Sequence, residues 1–223
     1  MKNLLLLSLS FMFFMMSCNK SEIEEPNNNN NNQNTDYLEN ASVTDFYPLK
    51  VGNWWEYEVS KYVLSDGPEN ATPVGTERVT IGEQKNTLGH EFYTQLYNGY
   101  KDQIPQLIRE ADNQLYTESV TFLSLFLGKP IESGSVKAYG TFKTSVRRYE
   151  NTYDVPAGTF DKLIYRDQQF NADEAGKPSL QLADIYAKGV GRIFFEDIDV
   201  EGCLCNGGTP VVYVYKLKDY HLE

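Results

Sequence analysis

The sequence predicts a mainly β protein: a single curved antiparallel sheet, a half-barrel or open barrel of about eight to ten strands, with one or two short helices. Three observations predict it. Apolar and aromatic residues alternate with polar ones in short runs along most of the chain. Those runs are bounded by Gly, Asn, Asp and Pro. The chain also carries 16 tyrosines and 12 phenylalanines, residues that fit a pleated, half-buried surface.

The strands follow in order. NWWEYEVSKYV (53–63) places Trp55, Tyr57, Val59 and Val63 on one face, and Trp54 on the other. ERVTI (77–81) alternates Val79 and Ile81 with Arg78 and Thr80, and HEFYTQLYNGY (90–100) sets Phe92, Thr94 and Leu96 opposite Tyr93, Gln95 and Tyr97. Residues 105–119 form a hairpin turning at Ala111-Asp112-Asn113. A long strand over 141–155 turns at PAGT (156–159) and returns through FDKLIYRD (160–167). GRIFFED (191–197) and VVYVYKLKDYHL (211–222) close the series. The helix candidates are residues 119–127 and 179–187, each good for two turns. Short connections imply antiparallel neighbours.

Ahead of the strands lies an address. Lys2 and the apolar run Leu4–Met16 have the proportions of a signal peptide, and 13 residues are too few to span a bilayer. The run ends in Ser17-Cys18, which resembles the lipobox of bacterial lipoproteins. That resemblance implies cleavage before Cys18 and acylation of its thiol, with palmitate or a similar chain. Two or three chains anchor a protein firmly, since each buried methylene contributes about 0.8 kcal/mol. An acidic patch at 19–25, one lysine with three glutamates, resembles the signal that sends some lipoproteins to the cell surface, and Asn27–Asn32 opens a polar tether. Residues 19–40 have a coil reach of about 25 Å. The expected division is a signal peptide at 1–17, a lipidated cysteine and tether at 18–40, and one β-rich domain at 41–223.

Charge excludes one class of partner. The chain has 20 Lys and Arg against 31 Asp and Glu, a net charge of −11, and no basic cluster. Nucleic-acid binding has no electrostatic basis here.

Three phrases carry a wider resemblance: FYPLKVGNWWEYEV (46–59), DVPAGTFDKLIY (154–165) and YAKGVGRI (186–193). They resemble a recurrent domain of Gram-negative outer-membrane lipoproteins of uncharacterised function, with YPLxxGxxWxY, VxAGxF and YxxGVG motifs. The resemblance implies a strongly curved antiparallel sheet, similar in shape to the lipoprotein-carrier half-barrels. It brings no catalytic residues.

No catalytic motif stands out. GVGRIF (189–194) lacks the third glycine of a dinucleotide fingerprint, and His90 and His221 are far apart. Asp197, Asp199 and Glu201 alternate before Gly202, like half of a calcium loop, but position 208 is Gly rather than an acid. Cys203 and Cys205 lack further metal-ligand spacing. The expectation is a non-enzymatic, lipid-anchored envelope protein without a cofactor, which holds an apolar ligand or a protein partner on its curved sheet. Trp55, Tyr57, Phe92 and Phe194 are the residues expected to line any cavity. The alternatives are a glycan-binding surface lipoprotein, stacking Trp54 and tyrosines on sugars, and a structural subunit of an envelope complex. The expected place is the outer membrane, surface-exposed or on its periplasmic face.

Overall fold

The computed structural model describes residues 37–223 except 88, 100–104, 118–119, 125–130, 137–139, 173–177 and 200–209. Cys18, Glu201, Cys203 and Cys205 lie outside the described residues.

The strands are β1 (Trp54–Val63), β2 (Thr72–Thr87), β3 (His90–Gly99), β4 (Gln106–Ala111), β5 (Gln114–Thr117), β6 (Val120–Ser124) and β7 (Ile131–Val136). They continue with β8 (Gly140–Tyr149), β9 (Tyr153–Val155), β10 (Gly158–Phe160), β11 (Leu163–Ala172), β12 (Pro178–Ala187), β13 (Gly191–Asp199) and β14 (Val211–His221). Twelve form one antiparallel sheet in the order β6-β5-β4-β3-β2-β1-β14-β13-β12-β11-β8-β7, while β9 and β10 form a separate hairpin.

That order is an up-and-down meander whose first and last long strands, β1 and β14, pair at its centre. Consecutive strands can therefore be neighbours throughout, apart from the hairpin inserted between β8 and β11. The sheet's two edges, β6 and β7, come within 8 Å of one another at Cα but share no ladder. A sheet of this width brings its edges together only by curling, so it forms a barrel that stays open at one seam.

The expected curved sheet is present, with more strands than the eight to ten read from the alternation. The two helix candidates are corrected. Residues 120–124 are β6, and 179–187 fall within β12. SLQLADIYA is apolar enough for either period because both faces of β12 are covered: Leu180, Leu182 and Tyr186 on one, Ile185 on the other. Helical structure among the described residues is limited to 3-10 turns at Val43–Asp45 and Pro68–Asn70. The long strand expected over 141–155 is broken. β8 ends at Tyr149, and β9–β10 leaves the sheet to fold against its outer face.

The N-terminal segment closes one end of the barrel. Ser42 caps the first 3-10 turn in a capping box with Asp45. Val43 N–H donates to Asn113 Oδ1 at 2.6 Å, in the β4–β5 turn, where Asp112 and Asn113 both have positive φ (51° and 58°). Tyr37 already belongs to the domain: its hydroxyl donates to the Leu163 carbonyl at 2.6 Å, and Lys188 Nζ donates to its carbonyl at 2.8 Å. The folded part thus begins before residue 41. Phe46, Tyr47, Trp55, Ile81, Ile164 and Leu217 fill the space behind this plug.

Candidate functional site

The ladder register decides which side chains face the barrel's interior. Trp55 pairs with Val79, Tyr57 with Glu77, and Val59 with Tyr215, which pairs in turn with Phe195. All of these share the inner face. Phe194 lies one residue off this register and points outward, and Phe92 is likewise opposite in parity to Tyr93, Gln95 and Tyr97. The four expected cavity residues therefore divide. Trp55 and Tyr57 are inside, whereas Phe92 and Phe194 are buried against the outer face.

Trp55 and Tyr57 are packing residues. Trp55 is stacked on Tyr47, with ring centroids 5.1 Å apart, and donates from Nε1 to the Val190 carbonyl at 2.7 Å. Tyr57 meets Phe195 edge-on at 5.1 Å and donates its hydroxyl to the Arg192 carbonyl at 2.9 Å. Gln95 Nε2 donates to Tyr47 Oη at 2.6 Å. Trp55, Tyr57 and Tyr47 turn their polar atoms to partners inside the protein, as buried Tyr and Trp usually do, whereas Tyr215 Oη and Gln95 Oε1 are buried with no hydrogen-bond partner among the described residues.

Above the aromatic layer sits a buried ionic cluster. Arg166 on β11 stands directly opposite Asp184 on β12 and donates from Nη1 to Asp184 Oδ2. A β-bulge in the β12–β13 ladder, after Ile185, brings Arg192 opposite Tyr186 and so onto the inner face. Arg192 Nε then donates to Tyr186 Oη at 3.3 Å, Tyr186 Oη donates to Asp184 Oδ2 at 3.3 Å, and Arg192 Nη2 lies 3.7 Å from the same oxygen. The Arg192 guanidinium also covers the Phe195 ring at 4.0 Å. The Asp184 side chain has no exposure to solvent.

Electrostatics fix the protonation states. Burial pushes the hydroxyls of Tyr57 and Tyr186 well above their ordinary range, and Arg192 adds only a partly offsetting pull. Burial also opposes the charge on Arg192, but the neighbouring Asp184 carboxylate favours it. The cluster is therefore a buried arrangement of Arg166, Arg192, Asp184 and phenols that burial keeps neutral. It holds β11, β12 and β13 in register.

The remaining predicted residues are dispersed. Asp197 pairs with Tyr213 and Asp199 with Val211 on β13. Among the described residues, no group of three or more His, Cys, Asp or Glu could hold a metal ion. His90 is exposed, and His221 sits 3.0 Å from Glu223 near the C-terminus. Trp54, expected as a sugar platform, has the Arg78 guanidinium 4.1 Å over its ring and His221 stacked at 6.2 Å. Its ring is therefore partly covered.

The outer face carries the feature that the alternation did not reveal. The β9–β10 hairpin docks there: Ala157 N–H donates to the Leu217 carbonyl at 2.9 Å, beside the bulge where β14 slips against β1. Tyr153 covers Phe194 at 5.5 Å, and Phe160 meets Tyr220 at 6.3 Å. Next to the hairpin, Tyr149 and Tyr165 are stacked at 6.3 Å. The two short motifs DVPAGTF and RRYENTY place these aromatics together only because the strand breaks at Glu150-Asn151.

No family model matches the chain, and no curated protein matches it. Two solved structures are similar to it. One is an exported protein of Bacteroides fragilis NCTC 9343 with a YmcC-like fold: 12% identity, 79% of this chain and 99% of that chain covered, TM-score 0.40. The other is a lipoprotein of Parabacteroides distasonis ATCC 8503: 10% identity, 79% and 98% covered, TM-score 0.37.

Proposed function

We propose that this protein is a non-enzymatic, lipid-anchored component of the bacterial outer membrane that works by binding. The observation that carries the first half is the leader: an apolar run of 13 residues ending in Ser17-Cys18, followed by a polar tether. The observation that carries the second half is the location of the chemistry-bearing groups. The charged side chains best placed to act in concert, Arg166, Asp184 and Arg192, are sealed inside and engaged with one another. Trp55 and Tyr57 fill the interior, so the reading narrows from a ligand held within the curved sheet to a partner held on its outside.

Native mass spectrometry of the protein purified from its own envelope tests this reading. The expected result is an acylated chain carrying a bound partner or ligand. An acylated but empty monomer at physiological concentration counts against the binding role.

A further inference from the structure

We propose that the outer face beside the β9–β10 hairpin is a carbohydrate-binding surface, built from Tyr149, Tyr153 and Tyr165 with Arg147, Asp167 and Glu196. This inference deepens the binding reading above and rests on it.

The ladder brings the six residues together. Leu163 pairs with Tyr149 and Tyr165 with Arg147, so Tyr149 and Tyr165 are diagonal neighbours on one face. Their rings lie 6.3 Å apart at 21°, and Tyr153 on the hairpin meets Tyr149 at 6.2 Å and 77°. The three rings form one aromatic cluster, with the Arg147 guanidinium over one face of Tyr165 and Tyr153 upright against Tyr149. All three are half-buried, and none of their hydroxyls makes a hydrogen bond among the described residues.

One step further along the strands the surface drops. Asp167 pairs with Ser145 on one side and Ala183 on the other, so only a hydroxymethyl and a methyl flank it. The β12–β13 ladder ends at Asp184 and Phe195. Past that point Ala183 N–H is satisfied by the Glu196 carboxylate, at 3.0 Å, instead of by a strand. Two carboxylates thus border a strip of small side chains, with the tyrosines along one side of it.

Asp167 supplies an independent pointer to a ligand. It is buried to 7% exposure, and Gln169 Nε2 donates to its Oδ2 at 2.7 Å, but its Oδ1 has no hydrogen-bond partner among the described residues. An acceptor left in that state calls for a donor. A sugar has the matching chemistry: an axial C–H face that packs on aromatic rings and hydroxyls that donate to carboxylates. An apolar ligand would leave Asp167 Oδ1 without a donor. A cationic ligand would meet the Arg147 guanidinium, which already lies 4.6 Å over the Tyr165 ring. Arg147 would repel a cationic ligand and Asp167 and Glu196 an anionic one, so a neutral oligosaccharide fits best.

The test is isothermal titration of the full mature chain in detergent with neutral linear hexasaccharides: maltohexaose, cellohexaose, laminarihexaose, mannohexaose and chitohexaose. At least one should bind. Tyr165→Ala and Tyr149→Ala should each weaken it about tenfold, and Asp167→Asn about fivefold, whereas Trp54→Ala should leave it unchanged. Should an alanine variant fail to fold, Tyr165→Phe, which keeps the ring, and Asp167→Asn keep the comparison decisive. No binding of any hexasaccharide at about 10 mM, or binding indifferent to the Asp167→Asn change, overturns the site. A protein that still fractionates with membranes but binds no sugar loses the patch and keeps the anchored reading. A sugar-binding protein that ignores the membrane does the reverse.

Discussion

Asp184 Oδ2 accepts a hydrogen bond from Arg166 and lies 3.7 Å from the guanidinium of Arg192, so one carboxylate with no solvent exposure serves two buried cations. Removing the shared partner should cost far more than removing a neutral member. Asp184→Ala is expected to destabilise the domain by about 3–5 kcal/mol, because it removes the carboxylate that two buried cations share. Tyr186→Phe, which loses only a hydroxyl, should cost about 1 kcal/mol. Urea denaturation of the two variants checks the ratio.

Two glutamates should tilt the pH dependence of stability in opposite directions. Burial raises the Glu196 carboxyl above its ordinary 4.5, only partly offset by hydrogen bonds from Ala183 and Tyr62. A folded value above the unfolded one means that its contribution is fully present below about 4.5 and is lost as pH rises through the raised value. Glu196→Gln should therefore raise stability at neutral pH and remove that decline. Hydrogen bonds from Lys218 and Arg78 hold Glu56 below 4.5, so its contribution is present above that value and lost as pH falls through the lowered one. Glu56→Gln should cost less than about 1 kcal/mol at neutral pH, since the pair partners are partly exposed. Thermal melts between about pH 2.5 and about pH 8, run in steps of about half a unit, resolve both slopes.

Glycine at 191 is required by a neighbouring ring. Its φ is +119°, and an added Cβ would stand 2.8 Å from Trp55 Nε1 and 3.0 Å from Cε2. Gly191→Ala should displace Trp55 from the Val190 carbonyl and cost about 3 kcal/mol or more. Gly189, at φ +76° with nothing within 4 Å of a Cβ, provides the control. There Ala should cost only about 1 kcal/mol, from backbone strain alone. Melting temperatures of the two variants should separate clearly.

The two tryptophans report strand parity in solution. Trp55 is fully buried, whereas Trp54 is partly exposed beneath Arg78. Trp54→Phe should leave a blue-shifted emission that acrylamide barely quenches. Trp55→Phe should leave the opposite. Equal quenching in both variants would contradict the register of β1.

Much of this architecture was legible. Alternation located β1, β3, the β4–β5 hairpin and β14, and correctly gave Trp54 and Trp55 opposite faces. It failed where a second signal overrides parity. In GRIFFED a regular strand would send Arg192 outward with Phe194, but the bulge turns it inward, and bulges leave no pattern in a single sequence. Phe194 and Phe195 are adjacent and identical, so the sequence gives no register that tells which of them faces inward. SLQLADIYA looked helical because β12 is covered on both faces. The ionic cluster did leave a trace: Ile164-Arg166 and Leu182-Asp184-Tyr186 each put a charge on a core-facing parity. The outer tyrosines were hidden by the strand break at residues 150–152, which only tertiary pairing reveals.

The central claim, an acylated cysteine that holds a binding domain at the cell boundary, is tested most directly by metabolic labelling with an alkyne palmitate and membrane fractionation of the wild type and Cys18→Ser. The account predicts label on the wild type alone, and release of the serine variant into the soluble fraction. A serine variant that still sediments with membranes at the wild-type level, or a wild type that takes up no label, contradicts it.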